Sequence, residues 1–233
     1  MGTQTADLTV AVQDYLKAIY ALESAGERVT TSALAARMRV SAPSATAMTK
    51  RLAELGLVER APYRGVALTD EGRRGALEVL RHHRLLERYL ADRLGLTLDE
   101  VHAEAELLEH ALTEELEAKI DAELGFPTHD PHGDPIPDRE LRLSTGRDRT
   151  LVDLEPGELA SVSRVPDGDP ELLRYLAELG LVPGSGVEVV AQAPFAGPVT
   201  VRTDRGDHAI SRELADRIAA AAARPQRARA RRS

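Results

Sequence analysis

The run SAPSATAMTKRLAELG, residues 41–56, limits the fold more than any other stretch of this chain. Ser41 is a strong helix N-cap, Pro43 suits the first turn, and Gly56 ends the helix by accepting a left-handed conformation. Between them Ala45, Met48, Leu52 and Leu55 recur at helical spacing and form an inward stripe. Upstream, residues 9–24 carry Val12, Leu16, Ile19, Tyr20 and Leu22 on one helical face, and Thr31 caps a short helix through Met38. Downstream, LVERAPYRGVALTDEG (residues 57–72) reads as two short strands around a Pro-Tyr-Arg-Gly turn. Helix, short helix, turn, helix and hairpin is the order of a winged helix-turn-helix.

In such a unit the third helix reads double-stranded DNA. Ser41, Pro43, Ser44, Thr46 and Thr49 are placed to reach base edges in a major groove, with Lys50, Arg51 and the wing residue Arg64 on phosphates. A winged helix used for protein contacts is the plainer alternative. Residues 1–70 hold 8 Lys/Arg against 7 Asp/Glu. So small a basic excess implies two copies, a homodimer, on a palindromic operator.

The net charge of −8 is unevenly spread. From Ala219 onward there are five Arg and no acid, which reads as a basic, disordered tail. Between Leu98 and Leu124 there are ten acids and one base, Lys119. A long helix is expected from Glu71 to about Leu94, another from Thr97, and a third ending at Leu124. Residues 126–150 are rich in Pro, Asp and Gly and read as loop and linker. Beyond them a single helix, Pro170–Leu179, lies among short strands separated by Gly-containing turns, the pattern of a small SH3-like barrel. The fold class is therefore mainly α with small β parts. Its expected parts are a winged helix-turn-helix (1–73), an acidic helical domain (74–141), a linker (142–150), an SH3-like domain (151–218) and a tail (219–233). The chain has no Cys, which excludes disulfides and thiolate metal sites, and at 3% aromatics without Trp it lacks stacking platforms for single strands. No run is apolar enough for a membrane helix and no signal-peptide core is visible, so a cytoplasmic protein is expected.

The acidic middle carries the chemistry. In VHAEAELLEH (residues 101–110) a helical wheel puts His102, Glu106, Glu109 and His110 within an arc of roughly 100°. Val101, Ala105, Leu108 and Leu112 take the other side. On the preceding helix His83 and Glu87 stand one turn apart. Singly, each is an ordinary wet or core-satisfied side chain; together they form a sulfur-free set of imidazoles and carboxylates. Such donors suit manganese or another mid-series divalent ion, while the general affinity order favours later metals.

The motifs VQDYLKAIYAL, GVALTDEG, HRLLERYL, VHAEAELLEH and PHGDPIP, in that order, resemble the diphtheria toxin repressor family of metal-activated repressors over residues 7–218. The resemblance implies a divalent corepressor held between the first helix and the dimerisation helices. It implies a primary site of Asp14, Glu106, Glu109 and His110, and a second site of His83, Glu87 and His102, completed by Asp169 or Glu171. Iron-responsive members carry Met where Asp14 stands and Cys where Glu106 stands, so the two hard carboxylates here resemble the manganese-responsive branch. The implied cofactor is Mn²⁺, with Fe²⁺, Co²⁺ and Zn²⁺ as alternatives in vitro, and the implied function is control of manganese-uptake genes. Lys17 stands where short manganese regulators have a Glu that helps form a two-metal cluster, which implies two separated sites here. Crowded carboxylates should repel without an ion, and ligation by His83, His102 and His110 should weaken at acid pH. The alternatives are an iron(II)-dependent repressor and, from another class, a metal-dependent hydrolase; the absence of HExxH spacing speaks against the latter.

Overall fold

The structure is a computed structural model describing residues 8–61, 65–143 and 148–222. The chain divides into two compact units. The first takes its described residues from Met1–Tyr89, Glu104–Thr128 and Ile136–Ser144, the second from Leu90–Ala103, His129–Pro135 and Thr145–Ser233.

In the first unit, α1 (Val10–Ser24), α2 (Thr31–Arg37) and α3 (Ala42–Glu54) precede the antiparallel hairpin of β1 (Val58–Ala61) and β2 (Gly65–Leu68). The capping grammar is obeyed. Ser41 Oγ accepts from the Ser44 N–H at 3.3 Å, and Thr30, one residue before the expected Thr31, accepts from Ala33. The apolar stripes of α1, α2 and α3 share one core, in which Leu16, Ile19, Leu34, Ala45 and Leu52 are fully buried. Each large aliphatic side chain removed from water there contributes about 1.5–3 kcal/mol. Gly65 is required: at φ +91°, a Cβ would stand 2.0 Å from the Val29 carbonyl oxygen, so only glycine lets β2 bridge to Val29.

Helix α4 (Asp70–Tyr89) packs its Ala76 into the same core and ends five residues before the expected Leu94, where a π-helical turn, Leu90–Leu94, follows. Helix α5 (Leu98–Leu108) stops in a 3₁₀ turn, Glu109–Ala111, and Thr113 caps α6 (Glu114–Glu123) by accepting from Leu116. The segment read as a linker is partly a brace. The Pro137 carbonyl accepts from the buried Arg81 guanidinium of α4, which also binds Glu117 and Asp121 of α6 at 2.6 and 2.8 Å. A buried Asp121 and a half-buried Glu117 beside an always-charged guanidinium lock these three segments together.

Among its described residues the second unit holds a six-stranded antiparallel sheet in the order Arg149–Thr150, Ala219–Ala222, Leu159–Arg164, Gly186–Gln192, Val199–Thr203, Gly206–Ile210. Its strands are β3 (Arg149–Thr150), β4 (Leu159–Arg164), β5 (Gly186–Gln192), β6 (Val199–Thr203), β7 (Gly206–Ile210) and β8 (Ala219–Ala222), with helices α7 (Pro170–Glu178) and α8 (Arg212–Arg217). Alternate residues Val187, Val189, Val199 and Val201 face a core shared with Leu173 and Leu176 of α7. The expectation that the chain turns to tail at Ala219 needs correcting. Ala219 and Ala220 are buried in β8, paired with both β3 and β4. Poly-alanine has no strand preference of its own, and tertiary pairing overrides it.

Candidate metal centre and nucleic-acid interface

Asp14 sits in the middle of α1, half-buried, on the flank that faces the 3₁₀ turn. Its Oδ1 lies 2.9 Å from His110 Nε2, and the same nitrogen is 3.4 Å from Glu109 Oε1. Asp14, Glu109 and His110 each offer a ligand atom, all within 4.8 Å of one another. The 3₁₀ turn creates this group. Had α5 continued, Glu109 would have joined the wet face; the changed winding instead buries Glu109 to 1% exposure and turns Leu108 outward to 44%. The expected opposition of a polar arc to Leu108 is therefore incorrect, whereas Val101 and Ala105 are buried as expected.

A residue missed from sequence orients the ring. Gln13 Nε2 donates to the Leu8 carbonyl at 3.3 Å, which fixes the amide so that Oε1 faces His110 Nδ1 at 2.6 Å. An amide oxygen only accepts, so Nδ1 carries the proton and Nε2 is the atom presented to the carboxylates. Polar Gln13 at a buried position of an amphipathic helix was the available signal. A cleft of about 370 Å³ lined by Gln13, His82, Glu109 and His110 gives access from outside.

Glu106, expected in the same group, is held differently. Lys17 Nζ donates to Glu106 Oε1 and to Glu109 Oε1, both at 2.6 Å. Burial works to lower the Lys17 pKa, but the Glu109 charge and the hydrogen bonds to both carboxylates outweigh it and raise it above the usual lysine value. At Asp14 desolvation dominates and raises the carboxyl above the usual range; Glu109 and Glu106 add to this, while His110 and Lys17 oppose it. The expected crowding of carboxylates is thus present, with a lysine already set among them.

The other oxygen of Glu109 faces α4. Glu109 Oε2 lies 2.5 Å from His83 Nδ1, and His83 Nε2 lies 2.9 Å from Glu87 Oε1. Burial alone would depress the imidazole, yet the hydrogen bonds to Glu109 and Glu87 lift its pKa from 6.5 to about 9. His102 is half-buried on α5, one turn before Glu106. In the second unit Asp169 is the N-cap of α7, its Oδ1 accepting from the Glu171 and Leu172 N–H groups at 3.1 and 3.2 Å. Glu171 is exposed in the first turn.

On the reading helix Ser41, Pro43, Ser44, Thr46, Lys50 and Arg51 are exposed. Thr46 Oγ1 bonds back to the Ala42 carbonyl at 2.9 Å, and Lys50 pairs with Glu54 at 3.7 Å. Thr49 is a correction: it is buried, its Oγ1 donating to the Ala45 carbonyl at 2.8 Å, and Leu55 is half-exposed in its stead. The inward stripe follows a strict α-helical period through residues 45, 48, 49 and 52, which leaves Thr49 facing the core. Arg64 lies outside the described residues.

Comparison with known proteins gives three family matches. Residues 7–66 match the iron dependent repressor N-terminal DNA binding domain, residues 69–138 the iron dependent repressor metal binding and dimerisation domain, and residues 149–221 the FeoA domain. The iron-dependent repressor IdeR of Mycobacterium leprae is 34% identical over 199 residues, covering 78% of this chain and 85% of that protein. The diphtheria toxin repressor of Corynebacterium efficiens is 32% identical over 194 residues, covering 79% and 84%. Among solved structures, a manganese-dependent transcriptional repressor in complex with manganese is 42% identical with a TM-score of 0.81, covering 91% of this chain and all of that one. The manganese regulator SloR is 31% identical with a TM-score of 0.75, covering 91% and 98%.

Proposed function

This chain belongs to the iron-dependent, or diphtheria toxin, repressor family of metal-dependent DNA-binding repressors, and we propose that manganese(II) is the ion that activates it. Members of the family are repressors and not enzymes, which retires the hydrolase reading. The observation that carries the proposal is that α1, packed within the DNA-binding unit, places Asp14 against Glu109 and His110 of the turn after α5.

The donors fit a hard divalent ion: carboxylate oxygens and one imidazole nitrogen, without sulfur, converging within 4.8 Å. Asp14, Glu109 and His110 would hold it, and Glu106, one turn before His110 and paired with Lys17, would be the further carboxylate in reach. Bound there, the cation supplies neutralising charge and a common anchor for two chain segments far apart in sequence. Gln13 keeps the His110 ring turned towards that anchor. His83 and Glu87, sharing Glu109 with the first group, are the first-unit donors of a second site. Fixing α1 fixes α3 through their common core, so two protomers joined at the dimerisation domain present their reading helices at one spacing to a palindromic operator. Ion and operator then tighten one another. The target genes are those of manganese uptake and the setting is the cytoplasm. No described helix is long and apolar enough to cross a membrane.

Iron(II) is the second reading, favoured by curated relatives that are named iron-dependent repressors. Fluorescence anisotropy with a DNA fragment selected by the Mn²⁺-loaded protein, repeated with Fe²⁺, Co²⁺, Zn²⁺ and chelator, separates them. Mn²⁺ should activate at the lowest free concentration relative to the metal supply of the cell, and Asp14→Met should move the preference towards Fe²⁺. Equal affinity for the fragment with Mn²⁺ and with chelator overturns the proposal.

A further inference from the structure

We propose that Lys17 is a tethered cation that competes with the metal for Glu106 and Glu109 and so sets the concentration at which the site fills. The inference deepens the metal-site reading above and rests on it. Lys17 Nζ stands 2.6 Å from Glu106 Oε1 and 2.6 Å from Glu109 Oε1, reaching from α1 across to α5 and the 3₁₀ turn. Its side chain is only 19% exposed and Glu109 is fully buried, so water screens the contact weakly. Glu109 Oε1 is also the oxygen that faces His110 Nε2, so one atom is wanted by both the ammonium and an ion at Asp14 and His110.

Two consequences follow from charge. Three carboxylates, Asp14, Glu106 and Glu109, with Lys17 among them leave a balance of −2, which a single divalent ion neutralises. In addition, an ammonium cannot ligate, so Glu106 and Glu109 are available only to an ion strong enough to draw them from Lys17. A unit charge roughly 5 Å from a divalent ion, even with the screening of bulk water, changes its affinity by about tenfold. Lys17 thereby makes the site deliberately weaker than its donor set allows, while holding Glu106 and Glu109 together when no ion is present.

The test is calorimetric titration of Mn²⁺ into the chelator-stripped full-length protein and the variants Lys17→Gln, Lys17→Met, Lys17→Arg and Asp14→Asn, with thermal melts of each in chelator and in Mn²⁺. Lys17→Gln and Lys17→Met should bind Mn²⁺ at least about tenfold more tightly. Their chelated melts should fall, and their Mn²⁺-induced rise in Tm should grow. Lys17→Arg, which keeps the charge, should stay near the parent. A purely structural ion pair would lower the chelated Tm without tightening Mn²⁺, and that result overturns the inference while leaving the site intact if Asp14→Asn still weakens binding. Absence of Mn²⁺ binding by the parent protein, or an isotherm untouched by Asp14→Asn, removes the site reading and this inference together.

Discussion

His83 offers the most quantitative test of the centre. It is clamped between Glu87 at 2.9 Å and Glu109 at 2.5 Å, with side-chain exposures of 5%, 0% and 0%. Its pKa rises from 6.5 to about 9 because hydrogen bonds to the two carboxylates outweigh burial. A raised folded-state pKa stabilises the fold fully below the unfolded value, and that contribution is lost as pH climbs through the folded value. A shift from 6.5 to about 9 corresponds to about 3 kcal/mol, so the chelated protein should lose roughly that much stability between pH 6.5 and pH 9. Urea unfolding followed by circular dichroism across this window measures it, and histidine NMR reports the His83 ring directly. A ring that titrates at or below its ordinary value, or a stability that stays flat over the window, refutes the reasoning. The same proton opposes metal. An ion that takes His83 must expel it at neutral pH, so calorimetry in buffers of different ionisation enthalpy should detect proton release on binding.

Other expectations follow from single contacts. Gln13→Leu removes the acceptor that orients His110, and should weaken Mn²⁺ binding by about 10- to 100-fold with an unchanged circular dichroism spectrum. Arg81→Met leaves Asp121 to Arg139 and Glu117 to His82, removes the buried guanidinium the two carboxylates share, and should cost about 1–3 kcal/mol in urea unfolding. Thr49→Val leaves the exposed face of α3 unaltered and should leave DNA affinity within about twofold in anisotropy titrations. By contrast, Arg51→Ala should reduce the salt dependence of binding by about one unit of slope.

The winged unit was legible because its rules are local. Ser41, Pro43 and Gly56 bound α3 by backbone chemistry that no neighbour alters, and the barrel helix was equally plain from Asp169-Pro170. Glu109 and His110 were legible as donor types but not as a geometry. A helical wheel assumes continuous winding, and nothing in Glu-His-Ala announces the 3₁₀ turn that exchanges the places of Leu108 and Glu109. Arg81 was overlooked although it interrupts the apolar stripe of Leu77 and Leu85, one turn from each. Strand β8 was invisible, since its alanines become strand only through partners distant in sequence.

Glu109 has one more implication. Its two oxygens answer to different neighbours, Lys17 and His110 on one side and His83 on the other, yet they belong to a single planar group on a short, fully interred stem. Such a carboxylate behaves as a rocker: tilting one lobe towards an incoming ion withdraws the opposite lobe from the histidine. An ion held on the α1 side would therefore be felt on the α4 side as a loosened imidazole, through the pivot of one residue.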